Sequence, residues 1–224
     1  MKRLLLVVGV VLLSQGAFAQ STSSRITSSP TFGPFHSSPF QLRTDVGGRF
    51  SGGAGFNSPE LALGITPELD LKRFYLRGTS FFRTGNKFDT GDGHSKGAQF
   101  EAYLRANRFL LGGGVNYVKL TTSQYEKSAI RPLLGAGVEF KVDQYPSRFF
   151  ANYYLRGTDN INGVQGLNLR WEVDVKPKVR ITPFHFSVFR SFPSNNPQLG
   201  TVTSFVATFG VSFVLWSPKP ANRN

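Results

Sequence analysis

The stretch Arg73–Arg83, RFYLRGTSFFR, alternates two classes of side chain along its whole length. Apolar or small residues occupy the even positions from Phe74 to Phe82, and the odd positions carry Arg, Tyr, Thr and one Phe. Because successive side chains of a β-strand point to opposite faces, this period of two predicts a strand with one apolar face and one polar face.

The same alternation extends over most of the chain. It continues from Phe40 to Trp216, and no helical stripe of useful length interrupts it. We predict about ten strands, at 42–52, 60–69, 73–83, 98–106, 109–121, 130–141, 148–157, 165–175, 178–190 and 201–216. A count of eight remains open if Leu42–Phe50 or Phe184–Arg190 is not a strand.

The predicted connections alternate in length. The short ones are 70–72, 106–108, 142–147 and 176–177, and the longer or more polar ones are 53–59, 84–97, 122–128, 158–164 and 191–200. Short turns on one side and longer loops on the other are typical of an antiparallel up-and-down transmembrane β-barrel. An even number of strands would place both chain ends on the periplasmic side.

The alternation alone does not say which face of the sheet is inside. A soluble barrel buries its apolar side chains around a ligand, whereas a transmembrane barrel turns them to the lipid. The polar positions carry Arg and Glu together, more Arg than Lys, and several glycines, which favours a narrow lumen filled by an ionic network. The predicted lumen network is Arg49, Glu60, Glu68, Arg73, Arg77, Glu101, Arg105, Arg131, Glu139, Arg156, Arg170 and Glu172.

Two further sets of side chains fit a membrane barrel. Aromatic residues near the strand ends are predicted to form its interfacial girdles: Tyr75, Phe81, Phe82, Tyr103, Phe109, Phe149, Phe150, Tyr153, Tyr154, Phe189, Phe213 and Trp216. Basic residues at the predicted outer ends are expected to contact the phosphates of lipopolysaccharide: Arg83, Lys87, Lys96, Lys119, Lys127 and Arg190. A solvated basic rim is the alternative interpretation of the second set.

The N-terminal segment predicts export. Lys2 and Arg3 precede the apolar run Leu4–Leu13, which is too short to span a membrane as a helix, and Ala17–Ala19 has the pattern of a cleavage site. We therefore predict export by the Sec pathway. The predicted organisation is a signal peptide over 1–19, a Ser- and Pro-rich extension over 20–39, the barrel over 40–216 and a polar tail over 217–224.

Composition narrows the possible activities. The 224 residues carry a formal net charge of +13 and include no cysteine. The lack of cysteine excludes a disulfide scaffold, a thiolate metal site and a cysteine nucleophile. Because export makes a nucleic-acid partner unexpected, the basic charge is expected to meet anionic lipid or polysaccharide.

With these features the chain resembles the families of small bacterial outer-membrane β-barrels over about residues 40–216. The resemblance rests on the signal peptide, the strand rhythm and the terminal strand Ser204–Trp216. It implies a Gram-negative-type outer membrane and insertion by the barrel-assembly machinery, which reads a terminal aromatic residue in such proteins. Here Trp216 precedes a polar tail and would act as an internal signal; we expect a monomer.

The triplet His185-Phe186-Ser187 places a His and a Ser on one face of a strand, where they could form a base and a nucleophile. It resembles the His-x-Ser of outer-membrane lipid A 3-O-deacylases, in which Asn follows the Ser and a later acidic residue orients the His. In this chain Val188 follows Ser187, and no Asp or Glu occurs after Asp174. The orienting acid would have to be Glu172 or Asp174, and an ordinary polar pair is the preferred interpretation.

No metal and no cofactor are expected. His36 lies in the extension, His94 in a predicted outer loop and His185 in a strand, so the three histidines do not converge. Asp89 and Asp92 beside His94 supply too few oxygen ligands for Ca²⁺.

The sequence thus predicts a non-enzymatic outer-membrane barrel with a packed Arg/Glu lumen, acting as a structural or adhesion-type protein or as a narrow channel. Two alternatives stay open. One is a lipid A-modifying esterase that uses Ser187 and His185. The other is a soluble exported barrel that binds an apolar ligand.

Overall fold

In the described part of the computed structural model, ten long strands and one short strand form a single antiparallel sheet that closes on itself. The structure describes residues 38–53, 56–88, 91–122, 126–156, 158–159, 164–191 and 202–218. Its strands are β1 (Phe40–Gly53), β2 (Phe56–Asp70), β3 (Phe74–Phe88), β4 (Gly91–Ala106), β5 (Phe109–Thr122), β6 (Glu126–Val142), β7 (Tyr145–Tyr154), β8 (Thr158–Asp159), β9 (Val164–Lys176), β10 (Val179–Ser191) and β11 (Val202–Trp216). The predicted signal peptide and most of the predicted extension and tail lie outside these residues.

Each long strand pairs with the long strands before and after it, and β11 pairs with β1 to close the barrel. The two-residue β8 pairs with β6 beyond the end of β7. The prediction of a ten-stranded up-and-down barrel is therefore confirmed. The eight-strand alternative is wrong, because Leu42–Phe50 pairs as part of β1 and Phe184–Arg190 as part of β10.

Among the described residues, no helix is both long enough and apolar enough to cross a membrane.

The four short turns and both ends of the barrel domain lie at one end of the barrel, here named the turn end. Residues 71–73, 107–108, 143–144 and 177–178 form these turns. Asn107 has a φ of 59° and Asp143 a φ of 54°, in the left-handed region that Asn and Asp adopt more readily than other side chains with a Cβ. The opposite end, where the other hairpins lie, is named the hairpin end.

The predicted loops 53–59 and 84–97 at the hairpin end are mostly strand. β3 continues to Phe88 and β4 begins at Gly91, so His94 lies inside β4 rather than in a loop. Alternation of apolar and polar residues reports contact with lipid, whereas backbone pairing continues wherever two strands still run side by side. Alternation therefore does not predict that the polar ends of these hairpins are strand.

The apolar positions face outward. Leu134 is 59% exposed and Phe209 is 54% exposed on the outside of the barrel, whereas Tyr75 and Phe150 are fully buried inside it. An apolar exterior around a polar interior is the arrangement of a transmembrane β-barrel. The soluble alternative is wrong, because it required the apolar side chains to line the interior.

A bulge in β10 changes which side chains of that strand face inward. The pairing register shifts between Thr182 and His185, around Pro183. Arg180 and Thr182 before the bulge, and His185 and Ser187 after it, all face the lumen. Proline lacks the amide hydrogen that a regular ladder needs, so a bulge accommodates it.

Candidate functional site: the barrel lumen

Four charged side chains form a ring of ion pairs near the turn end, here named the end cluster: Asp70, Arg105, Glu139 and Arg148. Arg105 Nη2 lies 2.7 Å from Asp70 Oδ1, and Arg105 Nε lies 2.8 Å from Glu139 Oε2. Arg148 pairs with the same two carboxylates, through Nε to Glu139 Oε1 at 2.9 Å and through Nη2 to Asp70. Each carboxylate thus bridges two arginines that come from different strands.

Eight more charged side chains form a second group inside the barrel, here named the central cluster: Arg43, Arg77, Arg170, Arg180, Glu68, Glu101, Glu172 and Asp174. Arg180 Nη1 lies 2.5 Å from Glu68 Oε1, and its Nε lies 2.9 Å from Asp174 Oδ1. Arg170 Nε lies 2.9 Å from Glu172 Oε1, and Arg77 pairs with the same carboxylate. Two of these pairs join strands that are not neighbours in the sheet: Arg77 of β3 with Glu172 of β9, and Arg180 of β10 with Glu68 of β2.

A layer of aromatic side chains lies between the two clusters and is hydrogen-bonded to the central one. Tyr75, Tyr103 and Phe150 are at most 1% exposed, with ring centroids 5.3 to 6.2 Å apart. The Tyr75 hydroxyl donates to Glu68 Oε1 at 3.1 Å, and the Tyr103 hydroxyl donates to Asn152 Oδ1 at 2.8 Å. The rings therefore fill space while their hydroxyls satisfy buried polar groups.

The charges in these two clusters balance. Together they contain six arginines and six carboxylates, all 9% exposed or less. Burial of an isolated charge is costly, and ion pairing with additional hydrogen bonds offsets that cost. The clusters stabilise the filled interior only while every member is present, because removal of one side chain leaves a buried charge without its partner.

The lumen is not filled at the hairpin end. A cavity of about 390 Å³ lies there, and its floor includes Arg77 and Arg170 of the central cluster. Charged residues on its wall are five arginines and two carboxylates: Arg49, Arg77, Arg83, Arg131, Arg170, Asp45 and Glu60. Arginine therefore predominates on the cavity wall, in contrast to the balanced clusters.

The two carboxylates of the cavity are already engaged. Glu60 Oε2 accepts a hydrogen bond from Arg49 Nη1 at 3.0 Å, and Asp45 accepts hydrogen bonds from the hydroxyls of Thr66 and Ser212. Arg83 stands over the Phe81 ring, with its guanidinium carbon 3.9 Å from the ring centroid. Within the part of the chain that the structure describes, no carboxylate lies within ion-pair distance of Arg83.

His185 and Ser187 both face the cavity, with Asn168 from β9 beside them. Asn168 Nδ2 donates to Ser187 Oγ at 2.8 Å and lies 2.5 Å from His185 Nε2. The Asn168 amide thus contacts both His185 Nε2 and Ser187 Oγ, the two atoms that would have to be hydrogen-bonded to each other in a base–nucleophile pair. Neither Glu172 nor Asp174 is hydrogen-bonded to His185 among the described residues; both carboxylates belong to the central cluster.

Two lysines stand side by side on the outside of the barrel toward the hairpin end. Lys96 of β4 lies directly opposite Lys119 of β5 in the ladder. Lys119 Nζ also lies 2.6 Å from Glu126 Oε1, which is 58% exposed. Like charges in directly opposed strand positions repel one another.

No family model matches the chain, and no curated protein sequence matches it. Several solved structures of outer-membrane proteins resemble its fold at a distance. Neisserial surface protein A is 12% identical with a TM-score of 0.37, covering 79% of this chain and 97% of its own. The translocator domain of the autotransporter NalP from Neisseria meningitidis is 12% identical with a TM-score of 0.40, covering 92% and 97%. Ail, the attachment invasion locus protein of Yersinia pestis, is 13% identical with a TM-score of 0.31, covering 79% and 97%. These similarities are too distant to carry information on function.

Nine of the twelve residues predicted for the lumen network take part in ion pairs inside the barrel: Arg49, Glu60, Glu68, Arg77, Glu101, Arg105, Glu139, Arg170 and Glu172. Arg131 lines the cavity. Arg73 is exposed in the turn 71–73, and Arg156 is exposed two residues beyond β7. The last two lie outside the strands, where alternation no longer determines direction.

The sequence prediction omitted six charged residues of the lumen: Arg43, Asp45, Asp70, Arg148, Asp174 and Arg180. Strand parity could have found several of them, since Asp70 lies two residues after Glu68 and Asp174 two residues after Glu172. Arg148 follows from the hairpin turn at 143–144, which places it opposite Glu139.

Other predictions for the outside of the barrel need correction. Arg83 was expected at lipopolysaccharide, but it lies on the inward parity of β3 and lines the cavity. Six of the predicted girdle aromatics also face inward: Tyr75, Phe81, Tyr103, Phe150, Tyr154 and Phe189. Lys96 and Arg190 are exposed and Lys119 is partly exposed, and the side chains of Lys87 and Lys127 lie outside the described part.

Candidate metal ligands do not gather in the described residues. No group of three or more His, Asp and Glu side chains there is arranged to hold a metal ion. The His94 ring lies 5.8 Å from the Phe82 ring, and Asp89 lies outside the described residues.

Proposed function

We propose that this protein is a non-enzymatic outer-membrane β-barrel with a closed lumen, a structural or adhesion-type protein rather than a conducting channel. The observation that carries this proposal is the set of two charge-balanced clusters that fill the lumen toward the turn end. The hairpin end would face the cell exterior, and the turn end, with both ends of the barrel domain, would face the periplasm.

The exterior supports a position in the outer membrane. Nine of the ten long strands carry large apolar side chains that are exposed on the outside of the barrel, including Phe100 at 49% and Leu111 at 59%. So much apolar surface is incompatible with water but suits lipid. Closed antiparallel barrels with this pattern belong to outer membranes, and a signal peptide would bring the chain there.

The interior supports a barrel that does not conduct. Arg43, Arg148, Glu101 and Glu139 are each at most 1% exposed, and the Tyr75, Tyr103 and Phe150 rings pack between them. An ion crossing this region would have to separate bidentate or bridged ion pairs, and no water is available there to solvate the separated charges. A narrow channel is therefore the less favoured variant of the proposal.

Cell fractionation and bilayer recording test both parts. The folded protein should stay in the outer-membrane fraction, run faster on a gel than after boiling, and show no steady conductance in planar bilayers. As a matched comparison, a variant with Tyr103→Ala and Phe150→Ala removes two of the three rings of the aromatic layer but keeps every charge, and should gain conductance events. Steady conductance of the unaltered protein would contradict the closed lumen, and release without detergent would contradict the membrane location.

Lipopolysaccharide is the partner that we propose for the basic exterior. Lys96 is exposed and lies opposite Lys119 in the ladder, where Glu126 already pairs with the Lys119 ammonium; a lipid phosphate at this level would supply the further negative charge that two lysines can accept. Lys96→Gln should weaken retention of lipopolysaccharide by the purified barrel, whereas Lys72→Gln at the turn end should not. Equal retention by both variants would remove this partner from the proposal.

A further inference from the structure

The cavity at the hairpin end has the properties of a ligand site. Its volume of about 390 Å³ falls within the usual range for small-molecule pockets, and its floor is closed by the central cluster. A molecule entering it would be surrounded by side chains of the lumen.

The charges on its wall favour an anion. Arg77 and Arg170 contribute from the floor, but both are held by carboxylates of the central cluster. Arg83 stands over the Phe81 ring and has no carboxylate within ion-pair distance among the described residues. Arg49 uses Nη1 on Glu60, and its buried Nε has no hydrogen-bond partner in the described part of the chain.

The position of Arg83 relative to this pair strengthens the argument. Arg49 and Glu60 are opposed in the β1–β2 ladder, and Arg83 is opposed to Ala62, two residues along β2 on the same lumen face. Arg83 is therefore within electrostatic range of Glu60 but outside ion-pair distance, and Glu60 is the carboxylate that faces both guanidinium groups. The site lacks one negative charge, which a carboxylate or phosphate group could supply through charge-assisted hydrogen bonds.

Neutral polar side chains line part of the remaining wall, between apolar side chains such as Val118, Leu120 and Phe189. Gln99 Oε1 accepts hydrogen bonds from Asn116 Nδ2 at 3.1 Å and from the Tyr154 hydroxyl at 2.8 Å. Asn168 and Ser187 lie on the other side of the cavity. Amides and hydroxyls of this kind exchange hydrogen bonds with a hydroxylated ligand body better than with an apolar one.

We infer that the cavity binds a small hydroxylated organic anion, whose carboxylate or phosphate group contacts Arg83 and Arg49. The inference goes beyond the proposed function and requires only that the barrel be folded with its floor closed.

Calorimetric titration of the folded full-length protein in detergent tests the inference. The probes are gluconate, glucose 6-phosphate and uncharged glucose. We expect saturable binding of one or both anions and none of glucose, and tighter binding of one anion assigns the head group as carboxylate or phosphate. Arg83→Gln should weaken the binding by about tenfold or more, the usual effect of losing a charge-assisted hydrogen bond.

Arg108→Gln is the matched control, because it removes the same positive charge from an exposed position outside the lumen. It should leave the affinity unchanged. Equal weakening by both variants would show that only the overall charge attracts the probe, and absence of saturable binding would also overturn the inference. Bilayer recording on the same preparation tests the closed lumen separately. A barrel that does not conduct and does not bind the probes would overturn this inference but not the proposed function.

A second measurement avoids any dependence on the folding of the variant. Phenylglyoxal modifies arginine, and peptide mass spectrometry can follow its rate at each position of the unaltered protein. The bound anion should slow modification of Arg83 several-fold and leave the exposed Arg108 unaffected. Equal rates at Arg83 with and without the anion would overturn the inference.

Discussion

Arg105 and Glu139 are joined by two parallel hydrogen bonds, from Nε to Oε2 and from Nη2 to Oε1, both at 2.8 Å. The same carboxylate accepts a hydrogen bond from Arg148 Nε at 2.9 Å, and Glu139 is fully buried. A bidentate pair of this kind fixes orientation as well as distance. Glu139 is therefore the residue on which the end cluster most depends.

Glu139→Ala should lower the free energy of unfolding by about 3–5 kcal/mol, because two buried arginines would then share the single carboxylate of Asp70. Urea unfolding of the barrel in lipid vesicles measures it. Glu126→Ala removes an exposed ion pair with Lys119 and should cost less than about 1 kcal/mol. Similar losses for both variants would show that the end cluster contributes no more than a surface pair.

Gly135→Ala should also destabilise the barrel. A Cβ atom at this position would lie 2.8 Å from the Tyr103 ring and 2.9 Å from its hydroxyl, where the aromatic layer already fills the lumen. We expect a loss of about 1–3 kcal/mol, as for other overpacked interiors. At Gly78, the nearest atom to a new Cβ is Pro67 Cγ at 3.3 Å, so Gly78→Ala should cost less. The unfolding midpoints of the two variants provide the comparison.

The architecture could be predicted from the sequence because lipid-facing apolar residues alternate with lumen-facing polar residues along each membrane-spanning strand. The lumen was predicted in outline for the same reason: Glu68 and Arg77 share the inward parity that alternation reveals. Partners across the lumen could not be predicted, since the pairing of Arg180 with Glu68 depends on barrel closure between strands far apart in sequence. The inward position of His185 depends on the bulge at Pro183, which alternation does not report.

Leu134→Arg should be strongly unfavourable if the outward face meets lipid. Leu134 lies at the middle of β6 and is 59% exposed, so the new charge would stand near the bilayer midplane at a cost of about 2–4 kcal/mol. Leu71→Arg makes the same change in a turn, where water is available, and should be nearly neutral. Unfolding free energies measured in vesicles compare the two, and equal values would contradict the membrane orientation of β6.

Ser187→Ala should leave the lipid A of overexpressing cells unchanged in acyl-chain content. Ser187 faces the lumen rather than the lipid, and its hydroxyl accepts a hydrogen bond from Asn168 instead of donating to a base, so the acyl chains of a membrane lipid do not meet an activated nucleophile. Mass spectrometry of lipid A from cells with the unaltered protein, the variant and an empty vector makes the comparison. A chain lost only with the unaltered protein would instead support the deacylase alternative.

Trp216→Ala should reduce assembly without reducing intrinsic stability to the same extent. Trp216 ends β11 at the turn end, and its ring meets Phe40 edge-to-face at 5.6 Å, where β11 closes against β1. If the assembly machinery reads this aromatic residue, the variant should accumulate unfolded in the periplasm yet refold in detergent. Trp171→Ala removes the same side chain from β9 and should assemble normally. Loss of packing alone would impair refolding of the purified protein. A refolding defect in detergent as large as the assembly defect in cells would therefore assign Trp216 a structural role instead.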